Sequence, residues 1–356
     1  MKQNRLARVI TNMEQLGLRQ LVVSDPDSVY YLTGIGYDPG ERLMALYLND
    51  QGDAHFFNNQ MFPQQPQDGL VIHNYDDADD YMGLMASVVG RGKLGVDKFW
   101  SAKFLLPLME KRQDLAFCLG SAAVDTARTC KDAEEAELMR QASALNDAAI
   151  AEVTQRLGEG LSEQKMAGLV ADTHVRLGAD TAVSQLVCYG LGCSEPHHVS
   201  GGAMLQPGES VIFDIFAPVN HYWCDMTRTV FYKSVSEEQR KVYDIVRAAN
   251  EAGIAAVKPG DPISKVDDAA RKVITDAGYG EYFTHRTGHG IGLSVHEPPD
   301  CSGVNQTILQ PGMCFSVEPG VYLPGKWGVR VEDLVLVTET GVEVLNHFTK
   351  DLLVVE

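Results

Sequence analysis

Two aspartates, Asp214 and Asp225, interrupt apolar stretches that are otherwise typical of β-strands, VIFDIFAPV and YWCDMTRTVFY. A carboxylate is expensive to bury unless it is paired or coordinates a metal ion. A hairpin turn centred on Val219–Asn220 would place the two aspartates directly opposite each other, with Cβ atoms about 4.5–5.5 Å apart. Thr227 would share their face of the sheet. Two carboxylates this close repel, so the pattern predicts either a protonated carboxyl group or a metal ion between them.

The segment FSVEPGVYLPGKWGVRVEDLVLV repeats this arrangement near the C-terminal end of the sequence. A turn centred on Gly325 places Glu318 opposite Glu332 and puts Arg330 on the face of Glu332. Pro319–Gly320 is compatible with a bulge in the first strand of this hairpin. Both glutamates are therefore predicted to point to one side.

A glycine-rich loop between the two hairpins, HRTGHGIGLSVHEPP, offers His285, His289 and His296. Its glycines resemble a dinucleotide-binding turn, but the loop leads into VHEPP and not into a long helix, which argues against that site. Four carboxylates and one imidazole, without a thiolate, suit Mn²⁺, Co²⁺, Zn²⁺ or Fe²⁺, and two ions better than one. Two such ions can bridge a water, ionise it near neutral pH and polarise a carbonyl group. The residues alone therefore predict a dinuclear hydrolase.

The elements that must position these side chains fall into two halves. Over roughly the first 120 residues, strands alternate with helices, which predicts an α/β unit. Apolar spacing and turn signals predict the elements of this half as helices 4–17 and 101–112 and strands 18–24, 43–50, 93–97 and 115–120. The composition then changes, and we place a domain boundary near residue 124. The predicted domains are therefore 1–124 and 125–356.

The second half begins with a long helical pattern, 125–157, for which Thr129 or Asp132 is a candidate N-cap. A helix over 161–176 follows, with Ser162 as its N-cap. Two further helices, 236–256 and 262–277, are separated by the PGDP stop signal. Strands and glycine loops make up the rest. Helices grouped beside antiparallel hairpins predict an α+β domain.

Composition and charge narrow the possible partners and the compartment. The chain has 356 residues and a net charge of −18, which argues against binding to nucleic acid or to an anionic membrane. No run approaches the roughly 20 apolar residues of a membrane span. The N-terminal segment lacks the apolar stretch of a signal peptide. Seven cysteines without a CxxC pair indicate free thiols, so we expect a cytoplasmic protein.

The acidic and imidazole residues, taken together, resemble the "pita-bread" metallopeptidases, a family that includes methionine aminopeptidase, Xaa-Pro aminopeptidase and prolidase. The resemblance covers residues 125–356 and is closest to short bacterial Xaa-Pro dipeptidases, as in THRTGHGIG and PGKWGVRVED. It implies a pita-bread catalytic domain that holds two divalent metal ions per subunit, with Mn²⁺ first and Co²⁺ or Zn²⁺ as alternatives. The family's five ligands correspond to Asp214, Asp225, His289, Glu318 and Glu332.

The resemblance also implies roles for residues around the metal ligands. His197 would lie near the substrate, His296 would stabilise the tetrahedral intermediate, and Arg330 would support Glu332 and the substrate. Arg286 would bind the carboxylate of the dipeptide. His285 is either a substrate contact or a support for the metal ligands, and His198 is interpreted as a neighbour of the site.

The first 124 residues are similar to the N-terminal domain of the creatinase/prolidase branch, as in SVYYLTGIGYDPGERL. By this likeness Asp38, Glu41 and Arg42 lie on a loop that reaches the active site of a partner subunit, so a homodimer is expected. Gly40 departs from the family, which has a histidine in this loop. A second departure is the DIFAP stretch after Asp214, where many relatives have glycine, and it is expected to affect packing more than chemistry.

The function implied by the resemblance is hydrolysis of the imide bond in Xaa-Pro dipeptides, with release of proline. A metal-bridging hydroxide would attack the carbonyl before proline, and Glu318 would move the proton to the proline nitrogen. One alternative is an Xaa-Pro aminopeptidase that acts on longer proline peptides. Another is a binding protein without activity, which the intact set of ligands argues against. Creatinase-like activity is disfavoured because that branch lacks the metal ligands.

Overall fold

The computed structural model describes all 356 residues, and its internal contacts divide the chain into two units, Met1–Arg128 and Thr129–Glu356. The predicted boundary near residue 124 falls inside a short helix, Ala122–Thr129, that spans the division. The change in composition at residue 125 therefore marks the middle of this helix and not a linker.

The first unit is built on one six-stranded sheet with strand order β4-β3-β2-β1-β5-β6. Its strands are β1 (Gln20–Val23), β2 (Ala45–Asn49), β3 (Ala54–Asn59), β4 (Val71–Tyr75), β5 (Gly92–Val96) and β6 (Leu115–Leu119). Its helices are α1 (Gln3–Gln15), α2 (Pro26–Thr33), α3 (Tyr81–Val88), α4 (Ala102–Lys111) and α5 (Ala122–Thr129). Three strand pairs are parallel, β1–β5, β5–β6 and β3–β4, and the others are antiparallel. The α/β organisation predicted for this half is confirmed.

Every strand and helix predicted in this unit is present, with ends within two residues of the prediction. The prediction missed α2, α3, β3 and β4. The strand β4 lies at the edge of the sheet, and most of its residues remain accessible, so its sequence VIHNY lacks a clear apolar alternation. Helix α2 did carry a signal, because Asp25 caps it and Pro26 occupies its first turn.

The second unit combines four helices with three sheets. Its helices are α6 (Ala133–Val153), α7 (Glu163–Leu177), α8 (Glu237–Ala255) and α9 (Ser264–Asp276). Its strands are β7 (Leu186–Tyr189), β8 (Ser210–Val219), β9 (Tyr222–Tyr232), β10 (Gly288–Gly290), β11 (Glu297–Cys301), β12 (Cys314–Val317), β13 (Gly320–Leu323), β14 (Trp327–Arg330), β15 (Asp333–Val337), β16 (Val342–Val344) and β17 (Val354–Val355). The sheet orders are β17-β9-β8-β7, β11-β10-β12-β15-β16 and β13-β14. This is the predicted α+β domain.

The long helix predicted over 125–157 is interrupted, because Cys130–Asp132 separates α5 from α6. Asp132 caps α6 by accepting a hydrogen bond from the Glu135 N–H, and the Glu135 side chain accepts one from the Asp132 N–H. This capping box satisfies backbone donors that a helix end leaves unpaired. Ser162 caps α7, as predicted, by accepting a hydrogen bond from the Lys165 N–H.

The turn between β8 and β9 lies one residue later than predicted, which shifts the pairing of the two strands by two residues. Its central residues are Asn220 and His221, whose φ angles are 50° and 69°. A two-residue hairpin turn of this kind requires positive φ at both positions, which Asn tolerates and the β-branched Val219 does not. Asp180 supports the turn by accepting hydrogen bonds from both turn N–H groups, at 2.9 and 2.6 Å.

The prediction that Asp214 lies directly opposite Asp225 is therefore wrong. Asp214 pairs with Thr227, and Asp225 pairs with Phe216. The shift is two residues, and side chains alternate with a period of two, so both aspartates remain on one face as diagonal neighbours.

The C-terminal hairpin has the predicted register and a turn around Gly325, whose φ is 73°. Gly320 pairs with Arg330 in β13–β14, and Val317 pairs with Asp333 in β12–β15. Glu318 and Glu332 lie in the gap between these two ladders, opposite each other in the register that both ladders share. At Pro319 the chain leaves the sheet that contains β12 and enters the two-stranded sheet of β13 and β14.

Candidate metal centre and active site

The hairpin of β8 and β9 has one core face and one polar face. Phe213, Ile215 and Met226 point into a hydrophobic core. Asp214, Phe216, Asp225 and Thr227 alternate with these residues and therefore share the opposite face. The sequence places carboxylates in these strands because the second face forms the wall of a cavity.

Three of the five predicted ligands converge directly. Asp225, His289 and Glu332 are buried, and each offers a ligand atom within 4.8 Å of the others. His289 lies on β10, where its N–H donates to Ser316 Oγ at 3.0 Å. Its Nδ1 lies 3.1 Å from the carbonyl of Gly290, which can only accept, so we assign the proton to Nδ1. Nε2 is then free to face the carboxylates.

The other two predicted ligands lie beside this group. Glu318 Oε1 is 3.4 Å from His289 Nε2 and accepts a hydrogen bond from Ser316 Oγ at 3.1 Å. Asp225 Oδ2 is 3.7 Å from the same His289 nitrogen. Asp214 is bound instead by Arg330, whose Nη2 donates to Asp214 Oδ2 at 2.7 Å.

Unsatisfied oxygen atoms show that this donor set suits a metal. Asp225 Oδ1 and Glu332 Oε1 are buried and have no hydrogen-bond partner, although buried polar atoms nearly always have one. Burial and the neighbouring carboxylates raise the pKa of Asp225 and of Glu332 well above their usual range. Burial lowers the pKa of His289 to about 3, which leaves its imidazole neutral. A neutral imidazole among crowded carboxylates is a donor set for divalent cations.

Arg330 connects the predicted metal ligands to the histidines. Its Nε donates to Thr227 Oγ1 at 3.0 Å, and its Nη1 donates to Tyr322 Oη at 2.8 Å. Tyr322 Oη lies 2.8 Å from His285 Nε2. His285 Nδ1 lies 2.6 Å from the Arg286 carbonyl, so Nδ1 carries the proton and the Tyr322 hydroxyl donates to Nε2. Burial lowers the pKa of His285 to about 4, in agreement with a neutral ring.

Most of these side chains, but not those of Thr227, Ser316 and Tyr322, line one cavity of about 840 Å³. The five predicted ligands line it together with the predicted substrate and catalytic residues of the second unit, which are His197, His285, Arg286, His296 and Arg330. His197, Arg286 and His296 are exposed, whereas the predicted metal ligands are buried or half-buried. The rings of His296 and His289 meet edge to face, with centroids 4.3 Å apart. Although its side chain is partly exposed, desolvation of the His296 ring within the cavity, followed by the charge of Arg286, lowers the pKa of His296.

Asp38 and Arg42 belong to the first unit and are not among the residues that line this cavity. Asp38 Oδ1 accepts a hydrogen bond from the Gly40 N–H at 2.8 Å. Arg42 binds Asp77 through two hydrogen bonds of 2.9 and 2.8 Å. Their role toward a partner subunit stays a prediction.

Sequence reasoning missed several residues that hold the predicted ones in place. Glu163 is buried, and its carboxylate accepts hydrogen bonds from the N–H groups of Tyr189 and Gly201, at 2.7 and 2.9 Å. It also lies 3.0 Å from His198 Nε2, beside His197. A fully buried glutamate in the first turn of α7 was visible in the sequence only as a helix-start signal.

A buried ion pair, Lys131 with Glu297, was also missed. Lys131 Nζ lies 3.2 Å from Glu297 Oε2, and the two side chains are 1% and 5% exposed. Glu297 directly follows His296 and accepts a hydrogen bond from the Ser294 N–H at 3.0 Å. The pair therefore anchors the loop that carries His296. Because 166 residues separate its members, no local pattern could have indicated it.

None of the helices is both long enough and apolar enough to span a bilayer.

Comparison with known proteins agrees with this geometry. Residues 137–339 match the model of metallopeptidase family M24, and residues 5–130 match the creatinase/prolidase N-terminal domain. A dipeptidase from Pyrococcus horikoshii OT3 is 30% identical, with a TM-score of 0.94 over 98% of this chain and 99% of that one. A prolidase from Thermococcus sibiricus is 30% identical, with a TM-score of 0.92 over 99% of both chains. An Xaa-Pro dipeptidase from Bacillus anthracis is 28% identical, also with a TM-score of 0.92 over 99% of both chains.

A creatinase/prolidase N-terminal domain followed by a pita-bread catalytic domain identifies the chain as a member of metallopeptidase family M24.

Proposed function

We propose that this metallopeptidase hydrolyses the imide bond of Xaa-Pro dipeptides and releases proline, using two divalent metal ions per subunit. The observation that carries the proposal is the convergence of Asp225, His289 and Glu332, with two unsatisfied buried oxygens, in the cavity that also contains Arg286. The similar solved structures named as a prolidase and an Xaa-Pro dipeptidase support the choice of substrate.

The proposed metal ligands are the five residues Asp214, Asp225, His289, Glu318 and Glu332, with Mn²⁺ as the proposed ion and Co²⁺ or Zn²⁺ as alternatives. When bound, such ions supply an activated water and polarise the scissile carbonyl. The Arg330 guanidinium holds Asp214 and Thr227, and Thr227 in turn holds Glu332 Oε2 at 2.7 Å. These contacts set the direction of two predicted ligands before any ion arrives.

The charges of the cavity orient a dipeptide. Carboxylates surround one part of the cavity and favour the substrate's free amine. Arg286, which is exposed in the same cavity, is the proposed partner of the substrate carboxylate. A cation and a group of acids in one cavity match a short peptide that carries both terminal charges.

Proton movement is assigned to Glu318. In the protein without metal, burial raises the pKa of Glu318 to about 7, and Ser316 holds its Oε1 atom. A carboxyl group of this kind can take a proton from the attacking water and give it to the proline nitrogen. His296, kept uncharged by its lowered pKa, donates a hydrogen bond to the carbonyl oxygen as negative charge develops there.

The size of the cavity supports one alternative function, an Xaa-Pro aminopeptidase. About 840 Å³ lies in the upper part of the range for small-molecule sites and leaves room beyond a dipeptide. An Xaa-Pro aminopeptidase acting on longer peptides would use the same ligands and catalytic residues. An Xaa-Pro aminopeptidase is therefore the second candidate function.

Two further proposals concern the setting of the enzyme. All seven cysteines are free thiols, which supports a reducing compartment, and we place the protein in the cytoplasm. We also propose a homodimer in which the loop with Asp38 and Arg42 approaches the active site of a second copy.

The test measures free proline from Leu-Pro and free leucine from Leu-Pro-Gly, after chelation and after Mn²⁺ is added back. Metal-dependent cleavage of Leu-Pro alone is the expected result. Efficient release of leucine from Leu-Pro-Gly would establish the aminopeptidase instead. If neither peptide is cleaved, both proposals fail and the binding-protein interpretation replaces them.

A further inference from the structure

Phe216 lies in the wall of the cavity, on the face of β8 that carries Asp214. It is the next residue of that face after Asp214 and the direct partner of Asp225 across the hairpin. An apolar ring therefore stands beside two predicted metal ligands. The residues that alternate with them along β8, Ile215 and Ala217, point into the core.

The pairing with Asp225 is the closer of the two kinds found in antiparallel sheets. The N–H and C=O groups of Phe216 both point away from β9, toward the side chain of Gln185. Phe216 and Asp225 therefore form a non-hydrogen-bonded pair, in which side chains approach more closely than in a hydrogen-bonded pair. The ring is placed next to the carboxylate by the sheet itself.

Gln185 holds this segment of β8 on its other side. Its Oε1 accepts a hydrogen bond from the Phe216 N–H at 3.0 Å, and its Nε2 donates to the Phe216 carbonyl at 2.9 Å. Nε2 also donates to the Val183 carbonyl at 2.9 Å. Gln185 is buried, with 4% of its surface exposed. Both backbone polar groups of Phe216 are therefore hydrogen-bonded to one buried side chain, which fixes the position of Phe216 in the cavity wall.

The location of Phe216 identifies the part of a substrate that it meets. In the proposed function the free amine of the peptide lies near the carboxylates, and the peptide carboxylate lies at Arg286. The substrate residue nearest to Asp214 and Asp225 is then the one that bears the amine. We propose that Phe216 is a specificity-determining residue, whose ring receives the side chain of the substrate's N-terminal residue and favours apolar residues there. This inference rests on the proposed function and adds a substrate preference to it.

The competing interpretation is that Phe216 only packs against its neighbours. Its ring lies 6.4 Å from the ring of Trp223, tilted by 43°. Phe216 nevertheless lines the cavity and stays partly exposed, whereas Trp223 is not among the cavity-lining residues. A ring that served packing alone would change stability without changing the choice of substrate.

The experiment compares Leu-Pro with Gly-Pro in the Mn²⁺-loaded protein and in its Phe216→Ala and Phe216→Leu variants. The wild-type protein should prefer Leu-Pro in kcat/KM, and Phe216→Ala should reduce that preference by about tenfold or more, which is typical for lost contacts in an apolar pocket. Phe216→Leu keeps an apolar wall and should keep most of the preference. Gly-Pro serves as the internal control, because glycine has no side chain to contact the ring.

A second measurement does not depend on turnover. Leucine hydroxamate and glycine hydroxamate share a metal-chelating group, but only the first has an apolar side chain. Titration calorimetry measures the dissociation constant of each. The dissociation constant of glycine hydroxamate divided by that of leucine hydroxamate, here called the hydroxamate ratio, should fall in Phe216→Ala by about the same factor as the kinetic preference. Gln185→Leu, which removes both backbone hydrogen bonds, should lower the ratio in the same direction.

The outcomes separate this inference from the proposed function. If Phe216→Ala lowers kcat/KM for both dipeptides equally and leaves the hydroxamate ratio unchanged, Phe216 is not a specificity determinant. If the wild-type protein cleaves neither dipeptide while the hydroxamate ratio still depends on Phe216, the proposed reaction fails and the binding wall stands. A changed ratio in Phe216→Ala together with a retained ratio in Phe216→Leu supports the inference.

Discussion

Arg330 binds Asp214 through a hydrogen bond of 2.7 Å from Nη2 to Oδ2, and both side chains face the cavity. The same guanidinium donates from Nε to Thr227, whose hydroxyl donates to Glu332. A single cation thus holds predicted ligands on two different hairpins. The planar fork of arginine makes this possible, because its donors point in several fixed directions.

Replacing Arg330 with lysine should therefore lower kcat/KM by about 10–100-fold, the usual effect of losing a group that orients metal ligands. Lysine keeps the charge but cannot reach Asp214, Thr227 and Tyr322 together. Kinetics and metal analysis of the purified variant measure the effect. Arg140→Lys is the matched control, since Arg140 pairs with Glu343 on the surface and should tolerate the change. Equal activity of both variants would contradict the orienting role.

Replacing Glu318 with glutamine should lower kcat by at least about 100-fold, because the amide cannot carry the proton from water to the leaving nitrogen. The metal content of the variant is measured alongside its kinetics, since Glu318 is also a proposed ligand. Ser316→Ala, which removes the hydrogen bond to Oε1, should have a much smaller effect. A near-normal kcat in a metal-loaded Glu318→Gln protein would remove Glu318 from its assigned role.

Replacing Arg286 with alanine should raise KM for dipeptides by about tenfold and change kcat little, because a charge-assisted contact to the substrate is lost before the chemical step. The control is a substrate variant, Leu-Pro amide, which lacks the carboxylate. Its KM should be the same in the wild-type and Arg286→Ala proteins. A fall in kcat alone would show that Arg286 does not bind the substrate carboxylate.

The metal-free protein should lose stability as the pH rises from about 6.5 to 8. Burial raises the pKa of Glu318 to about 7 and raises those of Asp225 and Glu332. In the unfolded chain these carboxyl groups lose their protons at about pH 4. The folded state therefore binds more protons than the unfolded chain at intermediate pH, so its free energy of unfolding falls with rising pH until the folded-state carboxyl groups have also lost their protons.

The lowered pKa values of His285 and His289, about 4 and 3, act in the opposite direction, but this effect fades by about pH 7.5, where the unfolded histidines have lost most of their protons. Thermal unfolding with a chelator and with Mn²⁺, across pH 6.5–8, measures the effect. The difference in Tm between the two samples should grow with pH, because the cation compensates the new charges. Asp225→Asn should flatten the curve of the metal-free protein, and parallel curves with and without metal would refute the explanation.

Breaking the buried pair of Lys131 and Glu297 should destabilise the fold. Lys131→Met should cost about 3–5 kcal/mol, the usual penalty for removing one partner of a buried ion pair. The double variant with Glu297→Gln should recover part of that loss, since neither charge then remains. Urea denaturation of the two single variants and the double variant provides the cycle. Additive losses would show that the two side chains do not interact.

Much of the site could be predicted from the sequence because acids within apolar strands are rare enough to require a reason. The sequence predicts that Asp214 and Asp225 share one face of a hairpin, and the structure confirms this shared face although the turn lies one residue later than predicted. A pairing error of two residues preserves the alternation of side chains, whereas a pairing error of one would have exchanged the two faces. The turn is predicted one residue too early, because positive φ at His221 depends on support from Asp180, 41 residues away.

The supporting contacts could not be predicted for the same reason. Tyr322 meets His285 across 37 residues, and Gln185 meets Phe216 across 31. Neither contact leaves a trace in local periodicity. The unpredicted strand β4 shows a different limit, since an accessible edge strand has little apolar pattern to detect. Local patterns thus indicate which face carries the chemistry, and tertiary contacts decide how each side chain is held.

Gln185 binds Phe216 only through main-chain atoms. Any residue except proline at position 216 can keep the N–H and C=O groups that this contact needs. Little therefore restricts the side chain at this position. Neither the strand, nor Asp214, nor the hydrogen bonds that join Arg330 through Tyr322 to His285 depend on it. A single substitution there can alter the range of accepted substrates while the residues proposed for hydrolysis stay unchanged. Position 216 is therefore a site at which related enzymes can diverge in substrate specificity.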